Sequence, residues 1–134
     1  MALKPGWKSN QNLAYCCKYH VVWCSKYRRK VLSEPVVVRL KELINDVARE
    51  TGSEVLEVEV MPDHVHLLCE MDRQLGIAKC VCLVKGRTTH HLRREFDFLR
   101  SRLPTLWTNS WFVATLGGAP LAVIKRYIQE QKNR

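Results

Sequence analysis

From Leu13 to Cys24 the side chains fall into two alternating sets. Tyr15, Cys17, Tyr19, Val21 and Trp23 share one, and Cys16, Lys18, His20, Val22 and Cys24 the other. A period of two predicts a first strand, because successive strand side chains point to opposite faces. Ser33-Glu34-Pro35 then reads as a helix start, with Ser as cap and Pro tolerated in the first turn. Val36, Leu40, Leu43, Ile44 and Val47 recur at helical spacing and predict an apolar stripe that Gly52 ends. Alternation returns in Val55-Leu56-Glu57-Val58-Glu59-Val60, passes a turn at Met61-Pro62-Asp63, and resumes in His64-Val65-His66-Leu67-Leu68. In that turn Pro pre-sets φ and Asp63 can bond its own backbone. A second helix is predicted from about Ile77 to Val84, with Gly86 as an interruption, and another strand from Leu106 to Leu116. Gly117-Gly118 reads as a flexible joint before a tail helix opened by Pro120, covering 120–133. The order strand, helix, strand, strand, helix, strand predicts an α+β fold. It is a ferredoxin-like split βαβ sheet with helices on one face, followed by a C-terminal helix. The whole chain, 1–134, reads as one domain.

That arrangement gives the histidines meaning. His64 and His66 lie two apart on one strand and so on one face, with Val65 and Leu67 turned to the helices. They would stand on the open face of the sheet beside Glu57 and Glu59. Two imidazoles side by side on rigid β structure can chelate a metal ion, although a lone His-x-His also occurs on solvated hairpins. His90 and His91 are adjacent on a helix and point about 100° apart, which suits the surface or phosphate contact better than chelation. On the tail helix Val123, Tyr127 and Gln131 lie one turn apart, and periodicity alone favours Tyr127 as a core or interface aromatic.

Charge narrows the partner. The net charge of +9 divides unevenly: residues 1–30 sum to +7, residues 31–72 to −7, and residues 73–134 to +9. Basic excess in both terminal thirds points to a polyanion. Lys26-Tyr27-Arg28-Arg29-Lys30 interleaves cations with an aromatic, as single-stranded nucleic acid favours. No apolar run is long enough to span a bilayer, and the start is polar and basic, so neither a membrane span nor a secretory signal is expected. The six cysteines contain no Cys-x-x-Cys and fit free thiols in a reducing compartment. A zinc site on Cys80 and Cys82 would lack its usual partner pairs. A zinc nucleobase deaminase is excluded because neither His-x-Glu nor Pro-Cys-x-x-Cys is present.

Taken in order, several segments resemble the small single-tyrosine HUH transposases of insertion sequences. They are Tyr19-His20-Val21-Val22-Trp23-Cys24, Lys26-Tyr27-Arg28-Arg29, Met61 to Leu68, Lys85-Gly86, Leu106-Trp107 with Phe112, Gly117-Gly118-Ala119-Pro120 and Tyr127 to Gln131. The resemblance implies a transposase that cleaves and rejoins single-stranded DNA carrying hairpins at element ends. It implies Tyr127 as nucleophile, through a 5′-phosphotyrosine, and His64, His66 and Gln131 as ligands of Mg2+ or Mn2+. It further implies a homodimer joined sheet to sheet, with Gly117 and Gly118 as the hinge of the tyrosine helix, and no small-molecule cofactor. Lys26, Arg28, Arg29, Lys85, Arg87 and Arg93 are the basic residues expected on DNA, in a cytoplasmic, nucleoid-associated protein. The alternative is a non-catalytic or domesticated hairpin-binding protein of the same fold; replication initiators and relaxases share the chemistry in longer chains.

Overall fold

The computed structural model describes residues 8–10, 13–15, 18–71, 76–116 and 126. The first alternating stretch forms two strands rather than one. β2 (Leu13–Tyr15) pairs with β1 (Lys8–Asn10) in a two-stranded ribbon, while β3 (Lys18–Ser25) belongs to the main sheet. α1 (Glu34–Thr51) follows, then β4 (Glu54–Met61), β5 (His64–Glu70), α2 (Ile77–Glu95), α3 (Asp97–Arg102) and β6 (Trp107–Thr115). The main sheet has the order β4-β5-β3-β6 with every pair antiparallel. This is the α+β, split βαβ arrangement that the element order predicts.

The core lies between the helices and one face of the sheet. Val21 and Trp23 of β3 and Val65 and Leu67 of β5 pack there against the predicted stripe Val36, Leu40, Leu43, Ile44 and Val47 of α1. α2 adds Cys80, Val81, Val84 and Leu92, and α3 adds Leu99. Burying a side chain of this size contributes roughly 1.5–3 kcal/mol, so the stripe on α1 decides where that helix docks. Trp107 meets Trp23 edge to face at 5.9 Å and donates its indole N–H to Thr88 Oγ1 at 2.9 Å, tying β6 to α2.

Two local expectations change. Ser33 makes no side-chain cap; its carbonyl accepts from the Val37 N–H at 2.8 Å instead. Gly52 does end α1, with φ of 70° in the left-handed region that glycine tolerates. Gly86 does not interrupt α2, which runs through it for 19 residues. A glycine inside a helix costs about 1 kcal/mol relative to Ala, and the buried row on either side of it outweighs that. α3 was not predicted, because six residues are too few to show a helical period. The tail helix 120–133 and the joint Gly117-Gly118 lie outside the described residues.

Candidate metal and nucleic-acid site

β5 is a central strand, and its register with both neighbours sets the face that carries the histidines. His66 stands opposite Val22 on β3 and Glu59 on β4, and His64 opposite Cys24 and Met61. His64 and His66 are therefore on one face, with ring centroids 5.0 Å apart at 70°. The three described helices contribute to the core on the opposite face. The histidine face is nevertheless not open at its centre, since His20, His66, Leu68 and Glu70 are all buried. These residues all sit on the two inner strands, while His64, at the strand end, stays partly accessible.

Each ring of the pair has its Nδ1 engaged. His64 Nδ1 lies 2.6 Å from Asp63 Oδ1, and a carboxylate can only accept, so Nδ1 carries the proton. Asp63 thus bonds His64 rather than its own backbone. The hydrogen bond from His64 holds the Asp63 carboxyl below its ordinary range, with partial burial opposing and nearby Arg28 assisting. His66 Nδ1 lies 3.0 Å from His20 Nε2, and the two rings lie edge to edge and nearly coplanar, with centroids 5.3 Å apart at 13°. Burial pushes the His20 pKa down, favouring the neutral ring. With Nδ1 engaged on both rings, Nε2 is the nitrogen each would offer a metal. Two neutral imidazoles held this way suit a divalent first-row ion such as Mn2+, and a protein-bound Mg2+ less well. Among the described residues no group of three His, Cys, Asp or Glu side chains completes a metal site. Gln131 and Tyr127 lie outside the described residues.

Beside His64 the chain bends sharply. A short 3-10 turn, Lys26–Arg28, holds Tyr27 at φ 57° and Arg28 at φ 51°. Left-handed backbone costs a non-glycine residue about 1–2 kcal/mol. Ser25 helps to hold it: its hydroxyl donates to the Arg29 carbonyl at 2.6 Å, and its N–H to the Asp63 carbonyl at 3.0 Å. The result presents the Tyr27 ring to solvent, 66% exposed, with the Lys26 ammonium 5.3 Å from its centre. Arg28 turns back to Asp63, Nε to Oδ2 3.3 Å, so the basic turn and the His64 end of the pair are mechanically joined.

The remaining basic candidates are distributed differently. Arg29 lines a cleft of about 480 Å³ with Lys30, Val31 and Arg102. Arg102 comes from α3, and no local basic run in the sequence marks it. Lys85 donates to the Thr108 carbonyl at 2.6 Å, and partial burial lowers its pKa. Beside it, a second cleft of about 530 Å³ runs between α2 and β6 and includes His90, Asn109 and Trp111. Arg87 pairs with Glu50 across α1 and α2 at 2.7 Å, and Arg93 donates to the Leu103 carbonyl at 3.2 Å. These two have structural partners already. Cys80 is buried while Cys82 is exposed, so they do not converge on a zinc ion. His20, which no sequence motif marks as a site residue, stands on the same face as His66 through the alternation of β3 and β5.

The chain is similar to known proteins along most of its length. The family described as "Transposase IS200 like" matches residues 13–131. The chain is 35% identical over 129 residues to the ISDra2 transposase TnpA of Deinococcus radiodurans, covering 95% of this chain and 92% of that one. It is 26% identical over 126 residues to the transposase for insertion sequence element IS200 of Salmonella typhimurium, covering 92% and 82%. Among solved structures, a crystal structure assigned to a transposase of Deinococcus radiodurans R1 matches with a TM-score of 0.74 at 34% identity, covering 92% of this chain and 97% of that one. A REP-associated tyrosine transposase bound to a REP hairpin shares the fold, with a TM-score of 0.63 at 15% identity, covering 90% and 68%.

Proposed function

The chain belongs to the IS200-like transposase family, and on that premise we propose that it cleaves and rejoins single-stranded DNA at insertion-sequence ends, with Tyr127 as nucleophile and His64, His66 and Gln131 as ligands of Mn2+ or Mg2+. The observation that carries this reading is the His64–His66 pair on one face of a central strand, with Asp63 and His20 on their Nδ1 atoms. A scissile phosphodiester is anionic and resists attack by a phenolate. A divalent ion held by His64, His66 and Gln131 would supply Lewis-acid polarisation and charge neutralisation at that phosphate. The chain's own residues do the rest. Asp63 and His20 orient the imidazoles. The Tyr127 oxygen forms a bond to phosphorus as the bond to the 3′ oxygen breaks; the tyrosine proton leaves to base or solvent, and the 3′ oxygen departs as a hydroxyl. The resulting 5′-phosphotyrosine conserves the phosphodiester, so an incoming 3′-OH can reverse the step and join strands without ATP.

The exposed Tyr27 ring, Lys26 and the Arg29–Lys30–Arg102 cleft support a path for single-stranded DNA leading to His64, since rings stack on bases while cations follow phosphates. Hairpins at the element ends are the proposed recognition feature, in keeping with the REP hairpin held by the REP-associated relative. β4 and β6 are the edge strands of the sheet, and a homodimer joined along an edge, with Gly117-Gly118 as the hinge of the tyrosine helix, belongs to the same proposal. The test is His64→Ala and His66→Ala. Each abolishes cleavage of single-stranded ends and leaves hairpin affinity close to wild type; normal cleavage by either variant overturns the assignment.

A further inference from the structure

We propose that His20 is a positioning residue for metal binding: it accepts the Nδ1 proton of His66 and holds that ring in the tautomer whose Nε2 can take a divalent cation. The inference rests on the reading of His64 and His66 as metal ligands. His20 lies on β3 opposite Leu68, two positions along from His66 on the same face. Diagonal neighbours of this kind are within reach of ring side chains. The contact joins residues 46 apart in sequence, at 3.0 Å, and both residues are buried, His20 at 1% exposure and His66 at 6%.

Two ring nitrogens that share one hydrogen bond admit only two arrangements. If His20 Nε2 donates, His66 Nδ1 accepts, and the proton of a neutral His66 must then sit on Nε2. That nitrogen has no lone pair left for a metal. If His66 Nδ1 donates, Nε2 carries the lone pair and can ligate. Metal binding therefore selects the second arrangement, and His20 is the group that makes it available. The two rings lie edge to edge at 13°, so the hydrogen bond runs nearly in the plane of both. The two ligands are thus oriented by different means. His64 is held by a carboxylate, which adds negative charge to the site, and His66 by a neutral ring, which adds direction alone.

The test uses the full-length protein with Mn2+ as the probe, followed by calorimetric titration and by 15N spectra of histidine-labelled protein. Wild type should show His66 in the Nδ1–H tautomer before metal is added. His20→Phe keeps a ring of similar shape and removes the acceptor, and should weaken Mn2+ binding by about 10–100-fold. His20→Gln, whose side-chain carbonyl can accept in place of Nε2, should restore binding close to wild type. His20→Phe binding Mn2+ as wild type does, or wild-type His66 carrying its proton on Nε2, overturns the inference alone. The second result needs no variant, so a His20→Phe protein that fails to fold does not shield the inference. Wild type that binds no Mn2+, or His66→Ala that binds it as well as wild type, overturns the metal reading and this inference with it.

Discussion

Asp63→Asn is the sharpest probe of how the site is held. The substitution keeps the side-chain size and an acceptor oxygen, and removes the charge. Asp63 is only 20% exposed, and its Oδ1 meets His64 Nδ1 at 2.6 Å. Hydrogen bonds to a charged group contribute about 1.5–3 kcal/mol net, against about 0.5–1.5 for neutral partners. The loss is then about 1–1.5 kcal/mol, or roughly tenfold in metal affinity at 1.4 kcal/mol per decade. Asp63→Ala, which removes the acceptor altogether, should approach a 100-fold loss. The effect on stability is smaller. The partner Arg28 is 65% exposed, and a screened surface pair of this kind contributes at most about 1 kcal/mol. For a chain of 134 residues that is a shift in Tm of about 4 °C or less. The assay is DNA cleavage as a function of Mn2+ concentration, with hairpin binding measured alongside. Asp63→Asn should need about tenfold more Mn2+ for half-maximal cleavage, and saturating metal should restore the rate. An unchanged metal requirement, or a loss that saturating metal does not rescue, refutes the orienting role.

Further outcomes follow from the basic turn and from the core. Tyr27→Ala should weaken single-stranded DNA binding by about 1–3 kcal/mol, the contribution of one base stacked on a ring, while a Lys26→Ala variant should instead flatten the salt dependence; equal affinity in Tyr27→Ala removes the ring from the DNA path. Cys69 is buried, and burial, with a smaller contribution from Cys80, pushes its thiol pKa up to about 12. Its folded pKa exceeds the unfolded value, so its contribution to stability is complete below about pH 9 and declines as pH rises towards 12, by up to about 1.4 kcal/mol per unit. Denaturant titrations across that window should show the decline in wild type and a shallower one in Cys69→Ala; parallel curves would count against it.

The fold was legible where one period dominated. The stripe on α1 and the strands around Val65 could be read because each repeats over several residues and buries one face. α3 and the continuation of α2 through Gly86 were not legible, since the first is too short for a period and the second depends on packing that outweighs a local breaker. At the site, His64 and His66 could be paired because they share a strand. His20 and Arg102 take their roles from strand register or from the packing of a distant element, whereas Asp63, which the sequence suggests would bond its own backbone, bonds its neighbour His64 instead. Arg87, which reads from sequence as a DNA contact, is engaged with Glu50 between two helices, a partnership visible only once those helices pack.

The most direct measurement incubates the protein with single-stranded DNA from the element ends and Mn2+, and resolves the products on a denaturing gel beside Tyr127→Phe. Wild type should form a covalent protein–DNA adduct that disappears when the metal is chelated and is absent in the variant. An adduct that survives Tyr127→Phe contradicts the nucleophile. Tight hairpin binding with no adduct from wild type contradicts catalysis itself and leaves a hairpin-binding protein of the same fold.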